Sequence, residues 1–321
     1  MKAGATIWCP YLSSTDVPQT LFQEQLLTAR IIDGKAIARK VRDEVAESTS
    51  AFVRQSGVTP GIAVVLVGDD PASHVYVRGK ERAATEVGMR GEVRLMPATA
   101  TQDELLTVVR ELNRDASVHG ILVQMPLPAH LDEDAVIRAV DPCKDVDGLH
   151  PENVGLLFSG QTRFAPATPS GVQRILVEES VQISGSHVVI VGRSNLVGKP
   201  LAGLLLSRGK TANATVTVCH TGTRDLAAET RRADILVSAT GVPGSITGEM
   251  VGKGAVVIDV GTTRVNDPSR KSGYRLSGDV VFNEVKEVAS AITPVPGGVG
   301  PMTIAMLLKN VLHAAELACS A

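Results

Sequence analysis

The sequence predicts an α/β protein of two domains, and three observations carry that prediction. Its 321 residues are too many for one ordinary core and suit two domains of ~150 residues each. Its apolar residues fall in short continuous runs such as "GIAVVLV", the look of strands buried on both faces of a parallel sheet, and these alternate with stretches spaced for amphipathic helices. A glycine-bearing turn, "VIVGRSNLVGKP", stands between one such run and a helix.

Composition narrows the class. Hydrophobic content of 44% against 21% charged residues is enough to fold without metals or disulfides. A formal net charge of -2, with no basic run interleaved with aromatics, argues against nucleic acid as a partner. The cysteines Cys9, Cys143, Cys219 and Cys319 show no C-x-x-C and no metal-ligand spacing to a histidine. Neither a disulfide framework nor a metal site is expected, which suits a reducing, cytoplasmic setting. No apolar run approaches the ~18 residues of a membrane span.

Residues 1–30 lack an unbroken apolar signal core and the acid-free, arginine-rich character of a transit peptide. They read as a poorly ordered extension with a short helix expected near "LFQEQLLTAR". From Asp33, the spacing of Ile37, Val41, Val45 and Phe52 predicts an amphipathic helix that Gly57 ends. "GIAVVLVGDDPAS" is the first buried strand, and "YVRGKERAATEVGM" follows as a helix stopped at Gly88. A strand near "GEVRLM", a helix through "TQDELLTVVRELNRDA" capped by Thr101, and the strand "VHGILVQMPLP" continue the alternation. Gln124 ends that strand, since the prolines after it cannot continue a ladder. A helix "DEDAVIRAV" leads to the turn-rich loop "DPCKDVDGLHPENVG", which carries Asp145 and Asp147.

"ATPSGVQRILVEES" reads as a helix crossing between the domains. After it, "SHVVIVGRSNLVGKPLAGLLLSRG" is strand, tight turn and helix, and "ATVTVCHTGT", "ADILVSATG" and "AVVIDVGTT" are three further buried strands. That makes the second domain a Rossmann-like parallel sheet of the nucleotide-binding kind. "ITPVPGGVGPMTIAMLLKNVLHAAELA" is a glycine and proline loop entering a long helix, too apolar for a free surface and expected to pack back on the first domain.

Two motifs point to chemistry. In "SHVYVRGKERAA", Tyr76 and Lys80 lie four apart, so a helix puts phenol and amine on one face, just past a strand's carboxyl end where such sheets bind ligands. The competing assignment is a half-buried tyrosine and a solvated lysine. A short-chain dehydrogenase also uses Tyr-x-x-x-Lys, but there the nucleotide turn comes first; here the pair precedes Gly192 by more than a hundred residues.

In "VIVGRSNLVGKP", five residues separate Gly192 from Gly198 where a P-loop needs four, and Pro200 stands where a magnesium-binding hydroxyl belongs. ATP hydrolysis is disfavoured. The G-x-G-x-x-G pattern is imperfect too, because Ser194 takes the second glycine position; a plain packing turn is an equal reading of the glycines alone. The next strand ends in His220 and Thr221, with no acid for the ribose of NAD, and Arg193 offers a guanidinium for a 2′-phosphate. NADP is therefore preferred over NAD, against a surface salt bridge as the other use of Arg193.

Taken in order, "YVRGK", "GILVQMPLP", "KDVDGLHPENVG", "GRSNLVGKP", "VIDVG", "GDV" and "PVPGGVGPMT" give the chain, from about Ile31 to its last helix, a specific resemblance to the bifunctional methylenetetrahydrofolate dehydrogenase/methenyltetrahydrofolate cyclohydrolase family. The resemblance implies two α/β domains flanking a cleft: a folate-binding catalytic domain over 31–169, completed by a C-terminal helix at 302–321, and an NADP-binding domain over 170–301. It implies one-carbon tetrahydrofolate derivatives as substrates, a homodimer, no membrane partner and no metal.

Residue by residue, Lys80 matches the family's active lysine and Gln124 the amide that bonds to it. Tyr76 matches the residue stacked on the folate, and Asp147 the carboxylate on the pterin's amino edge. Val77, Val123, Met125, Pro296, Gly297, Gly298, Val299 and Gly300 match the family's substrate lining. Gly192, Arg193, Ser194, His220, Thr221 and Thr262 match its NADP contacts, with Thr221 where many relatives have serine. Asp145 is expected to be a turn residue, and His74, His119 and His150 to be structural or peripheral. Intact Lys80 and Gln124 argue against a dehydrogenase-only enzyme, and the presence of these two with Asp147 argues against a non-catalytic binding protein.

Overall fold

The structure, a computed structural model, describes residues 28–270 and 273–320. The expected N-terminal extension therefore lies outside the described residues up to residue 27, and so does most of its short helix; at Arg30 the backbone is strand. Strand β1 (Arg30–Ile31) leads into helix α1 (Gly34–Ser56). Asp33 caps α1 by accepting from the amides of Lys35 and Ala36, and Gly57 ends it at φ 70°. Ile37, Val41 and Val45 form its buried face, as their spacing predicts.

β2 (Gly61–Val67), buried along its whole length, is the centre strand of a small parallel sheet. Helix α2 (Pro71–Glu86) follows, starting five residues before Tyr76 because the Asp70 carboxylate accepts from the Ser73 amide at 2.9 Å. β3 (Arg90–Met96) pairs with one edge of β2. α3 (Gln102–Arg114) opens on a complete capping box between Thr101 and Glu104. β4 (Gly120–Val123) pairs with the other edge of β2 and is shorter than the apolar run suggests. Gln124 stands one residue beyond it, its amide still donating to Val65 O at 2.8 Å. α4 (Glu133–Ala139) is followed by α5 (Pro151–Phe158), a helix inside what reads as loop, capped by His150 Nδ1 accepting from the Glu152 amide.

α6 (Ala167–Glu178) crosses to a six-stranded parallel sheet. Its elements in chain order are β5 (His187–Val191), α7 (Gly198–Leu206), β6 (Thr215–Cys219), α8 (Leu226–Arg231), β7 (Ile235–Ser238) and β8 (Val256–Asp259). A separate antiparallel hairpin, β9 (Thr263–Asn266) with β10 (Tyr274–Ser277), and α9 (Phe282–Val285) then precede β11 (Ala291–Ile292), which returns to the large sheet. The order across the sheet is β1, β11, β8, β7, β5, β6. β7 and most of β8 are buried as expected, but β6 is half-exposed, because it is the sheet's outer strand. β1 ties the start of the described chain into this larger sheet through its pairing with β11.

α10 (Val299–Ser320) packs against α1 and α6. By length and composition it is apolar enough to cross a membrane, although no single apolar run in the sequence is that long. Ten of its residues are buried within the protein, which makes it a core helix. One apolar core runs from Ile62 and Val64 of β2 through Met302 and Leu308 of α10 to Ile190 and Leu201 beside the large sheet. Gly171 on α6 permits that approach, since a Cβ there would stand 2.9 Å from Met302 Cβ.

Candidate active site

Lys80 sits in the third turn of α2, with only 9% of its surface exposed. Its Nζ donates to Gln124 Oε1 at 2.9 Å, and Gln124 Nε2 donates to Met125 O at 2.7 Å, so the amide is pinned with its oxygen toward the amine. Burial pushes the Lys80 pKa below the ordinary lysine value, against the opposing pull of Asp147.

Asp147 is placed by its neighbours. Asp145 forms a β-bridge with Ile121, and its carboxylate accepts from the amides of Leu149 and His150 and from Asn153 Nδ2. Asp145 thus organises the turn, as expected of it. Asn310 Nδ2 on α10 donates to Val146 O and Ala165 O at 2.8 and 2.9 Å, fixing the loop against the core. Burial pushes the Asp147 pKa up, the Lys80 charge opposes this, and Asp145 adds to it.

Lys80, Val123, Gln124, Met125 and Asp147 line a cavity of about 200 Å³ whose far wall holds Leu196 and Val197 of the β5–α7 turn. An amine from the small sheet and the glycine turn of the large sheet therefore open onto one space. Thr168 of α6 and Thr303 of α10 also line it, their hydroxyls 2.9 Å apart. Neither threonine is signalled by the sequence, since the hydrogen bond spans 135 positions.

Tyr76, half exposed, lines a second cavity of about 360 Å³. Its other walls include Thr262 and residues 296–300. The two cavities share α2 and the start of α10 as walls, with Tyr76 and Gly300 on one side and Lys80 and Thr303 on the other. The tyrosine and lysine thus face adjoining spaces rather than one. Val77 is corrected as a lining side chain: it is 1% exposed and packs in the core, because the residue after Tyr76 is rotated about 100° around the helix.

Lys35 and Arg42 of α1, which the sequence does not single out, line the second cavity and make no ion pair among the described residues. They are brought there because α1 starts directly on the 296–300 loop: a Cβ at Gly34 would stand 1.9 Å from Gly298 O.

At the ends of the large sheet, Gly192 has φ 134°, and a Cβ on it would stand 2.3 Å from Ala239 O. A Cβ on Gly198 would stand 2.1 Å from Gly192 O. The turn closes on itself as only glycines permit. Arg193 projects from it, exposed and with no ion pair among the described residues; Ser194 Oγ accepts from the Val197 amide at 3.1 Å. His220, whose Nδ1 accepts from the Gly222 amide, and exposed Thr221 end the neighbouring β6, while Thr262 stands past β8. His119 Nδ1 accepts from the Gly61 amide, and both it and the capping His150 are structural.

Comparison with known proteins matches both halves of the chain to one family. Residues 32–147 match the tetrahydrofolate dehydrogenase/cyclohydrolase catalytic domain, and residues 166–319 match the NAD(P)-binding domain of the same family. The bifunctional protein FolD of Bordetella avium is 56% identical over 290 residues, 90% of this chain and 98% of that one. The crystal structure of bifunctional FolD from Campylobacter jejuni aligns with a TM-score of 0.84 at 44% identity, covering 90% of this chain and 99% of that one. The Trypanosoma brucei dehydrogenase-cyclohydrolase, complexed with NADP and an inhibitor, aligns at 0.87 and 42%, covering 92% and 99%. With both family domains matched in order and over half its sequence shared with a full-length relative, the chain belongs to the bifunctional tetrahydrofolate dehydrogenase/cyclohydrolase family.

Proposed function

We propose that this chain oxidises 5,10-methylenetetrahydrofolate with NADP and then hydrolyses the methenyl product to 10-formyltetrahydrofolate, with Lys80 as the proton-transfer group. The observation that carries the reading is the single cavity bounded by Lys80 and Gln124 on one side and Leu196 and Val197 of the glycine turn on the other.

The turn suits a dinucleotide: Gly192 and Gly198 leave room that a Cβ would fill, and α7 begins at Gly198 with no side-chain cap among the described residues. Arg193, Ser194, His220, Thr221 and Thr262 would hold it. Arg193, with no ion pair among the described residues and no acid at the end of β6 beside it, favours the 2′-phosphate of NADP, the cofactor bound in the Trypanosoma brucei relative. NADP, when bound, accepts the hydride. The chain's task in that step is alignment, because the folate's own ring nitrogens expel the hydride and stabilise the cation left behind.

For hydrolysis, burial lowers the Lys80 pKa and so favours the neutral amine, which can take a proton from the attacking water and return it to the opening ring. Gln124 Oε1 accepts one N–H of the amine and directs its lone pair into the cavity. Asp147 accepts from the paired N–H donors of the pterin's amino edge. Tyr76 stacks on the extended part of the substrate in the adjoining cavity, and residues 296–300 let backbone approach it closely. Lys35 and Arg42, which make no ion pair among the described residues, line that cavity and would receive the substrate's carboxylates.

Purified protein mixed with 5,10-methylenetetrahydrofolate and each nicotinamide cofactor is expected to form and then consume the methenyl chromophore, faster with NADP. A chromophore that forms and persists would remove the hydrolytic half of the reading.

A further inference from the structure

Two carboxylates at the ends of the large sheet take no part in the reaction above. Asp259 closes β8 at 4% exposure, and Asp279, just past β10, is fully buried. Asp259 Oδ1 accepts from the amides of Gly261 and Asp279, and Oδ2 from the amide of Val280, each at 3.0 Å. Asp279 Oδ2 accepts from the Thr240 amide at 2.6 Å, the Gly241 amide at 3.3 Å and Ser238 Oγ at 3.2 Å, while its Oδ1 is buried with no hydrogen-bond partner among the described residues. Each carboxylate has a glycine cut to fit it. A Cβ on Gly278 would stand 1.9 Å from Asp259 Oδ2, and one on Gly261 2.0 Å from Asp279 Oδ1. The sequence segments "VIDVG" and "GDV" are thus two halves of one cluster.

What the cluster holds adjoins the cofactor turn. Asp279 gathers the amides of Thr240 and Gly241, immediately after β7. The preceding carbonyl, Ala239 O, is the group against which Gly192 packs. Gly241 O in turn accepts from Thr263 Oγ1 at 3.2 Å, next to Thr262. Two residues therefore separate the carboxylate from a position assigned to the cofactor on each side, Thr240 and Ala239 from Gly192 and Gly241 and Thr263 from Thr262.

We propose that Asp279, seated by Asp259, is a positioning residue for the nicotinamide cofactor, setting the spacing between Gly192 and Thr262 by clamping the ends of β7 and β8. The inference rests on the cofactor reading of those two residues.

The pair is also built to respond to acid. Asp279 is the charged group that faces Asp259 inside the cluster, and Asp259 also lines the second cavity, whose walls carry Lys35 and Arg42; Ser238 from β7, and Thr293 and Val295 from the segment after β11, contribute uncharged side chains. Burial first, and then the Asp279 charge, push the Asp259 pKa up to about 6 against the pull of its amide bonds. Protonation as pH falls through that value weakens the acceptor, and with it the clamp.

The test is the dissociation constant of NADP, measured by titration calorimetry on the full chain at pH 7.5 and 5.5, beside cofactor-independent hydrolysis of 5,10-methenyltetrahydrofolate. Asp279→Ala is expected to weaken NADP at least tenfold at pH 7.5 while hydrolysis stays within twofold. Asp279→Asn keeps an oxygen toward Thr240 and Gly241, so it is expected to bind within threefold of wild type at pH 7.5 and to lose less affinity than wild type on going to pH 5.5. The 2′-phosphate titrates alike in both proteins, so that difference belongs to the pair.

Unchanged NADP affinity in Asp279→Ala, or equal losses of affinity and hydrolysis, would overturn the positioning role. If the alanine variant does not fold, an asparagine variant with the wild-type pH dependence overturns it instead. Wild-type protein that does not bind NADP would overturn the cofactor reading itself, and this inference with it.

Discussion

Replacing Lys80 by methionine separates the two reactions proposed for this site. The side chain is 9% exposed and its Nζ is held at 2.9 Å by Gln124 Oε1, so methionine fills the space but removes the proton carrier. A positioned general acid or base contributes about 10²–10⁴ in rate, which raises the hydrolytic barrier by ~3–5 kcal/mol when lost. The fold is affected by two smaller and opposite effects. Gln124 Oε1 loses its donor, at a cost of ~1–3 kcal/mol, while the expense of keeping an amine in a dry site disappears. Cooperative unfolding close to that of wild type is therefore expected.

Linkage supplies a second check. The Lys80 pKa is lowered by folding, so below the ordinary lysine value the unfolded chain holds the extra proton, and wild-type stability climbs as pH rises toward 10.5. The methionine variant is expected to lose that part of the slope. The assay follows the methenyl chromophore in a coupled mixture: oxidation should proceed and the methenyl compound accumulate. Full hydrolysis in a folded Lys80→Met protein would refute the assignment, whatever else the cavity does.

Two further outcomes follow from the same geometry. Arg193→Ala should weaken NADP by about ten- to a hundredfold, the worth of a charge-assisted guanidinium–phosphate contact, and NAD hardly at all; equal losses in binding titrations would show that the arginine does not read the 2′-phosphate. Hydrolysis needs the neutral amine, so its rate should rise with pH to a plateau reached below the ordinary lysine range, and a profile still rising past 10.5 would mean that burial does not set the proton equilibrium of Lys80.

What could be read from the sequence was mostly what is local. β2 shows itself because a strand paired on both edges and covered on both faces must be apolar at every position. α1 and α3 declare their starts through Asp33 and through Thr101 with Glu104, caps whose partners lie two or three residues away. β1, β11 and the β9–β10 hairpin gave no such sign. They are two to four residues long, and β1 exists only by pairing with a strand some 260 positions later. α5 was hidden in a turn-rich segment because its cap is a histidine, a residue whose capping role depends on the orientation of its ring.

The site divides along the same line, and this bears on how it works. The spacing of Tyr76 and Lys80 indicates one helix face but not the two cavities that the face overlooks. That partition comes from residues 294–304, which approach α2 only after the large sheet is complete. Residue type alone makes Lys80 a cation at neutral pH. It becomes a candidate base because Gln124, 44 positions away, and Thr303 at the start of α10 help to enclose it. Asp259 and Asp279 make the same point from the other sheet, each seated by a glycine that belongs to the other's motif. The ordered motifs thus name the chemical groups, and long-range packing shifts their proton equilibria. A chain of this family that kept every motif but loosened the contact of α10 with α1 and α6 should therefore retain the functional groups of its site and return the lysine toward its ordinary pKa, because Thr303, at the start of α10, is part of what encloses the amine.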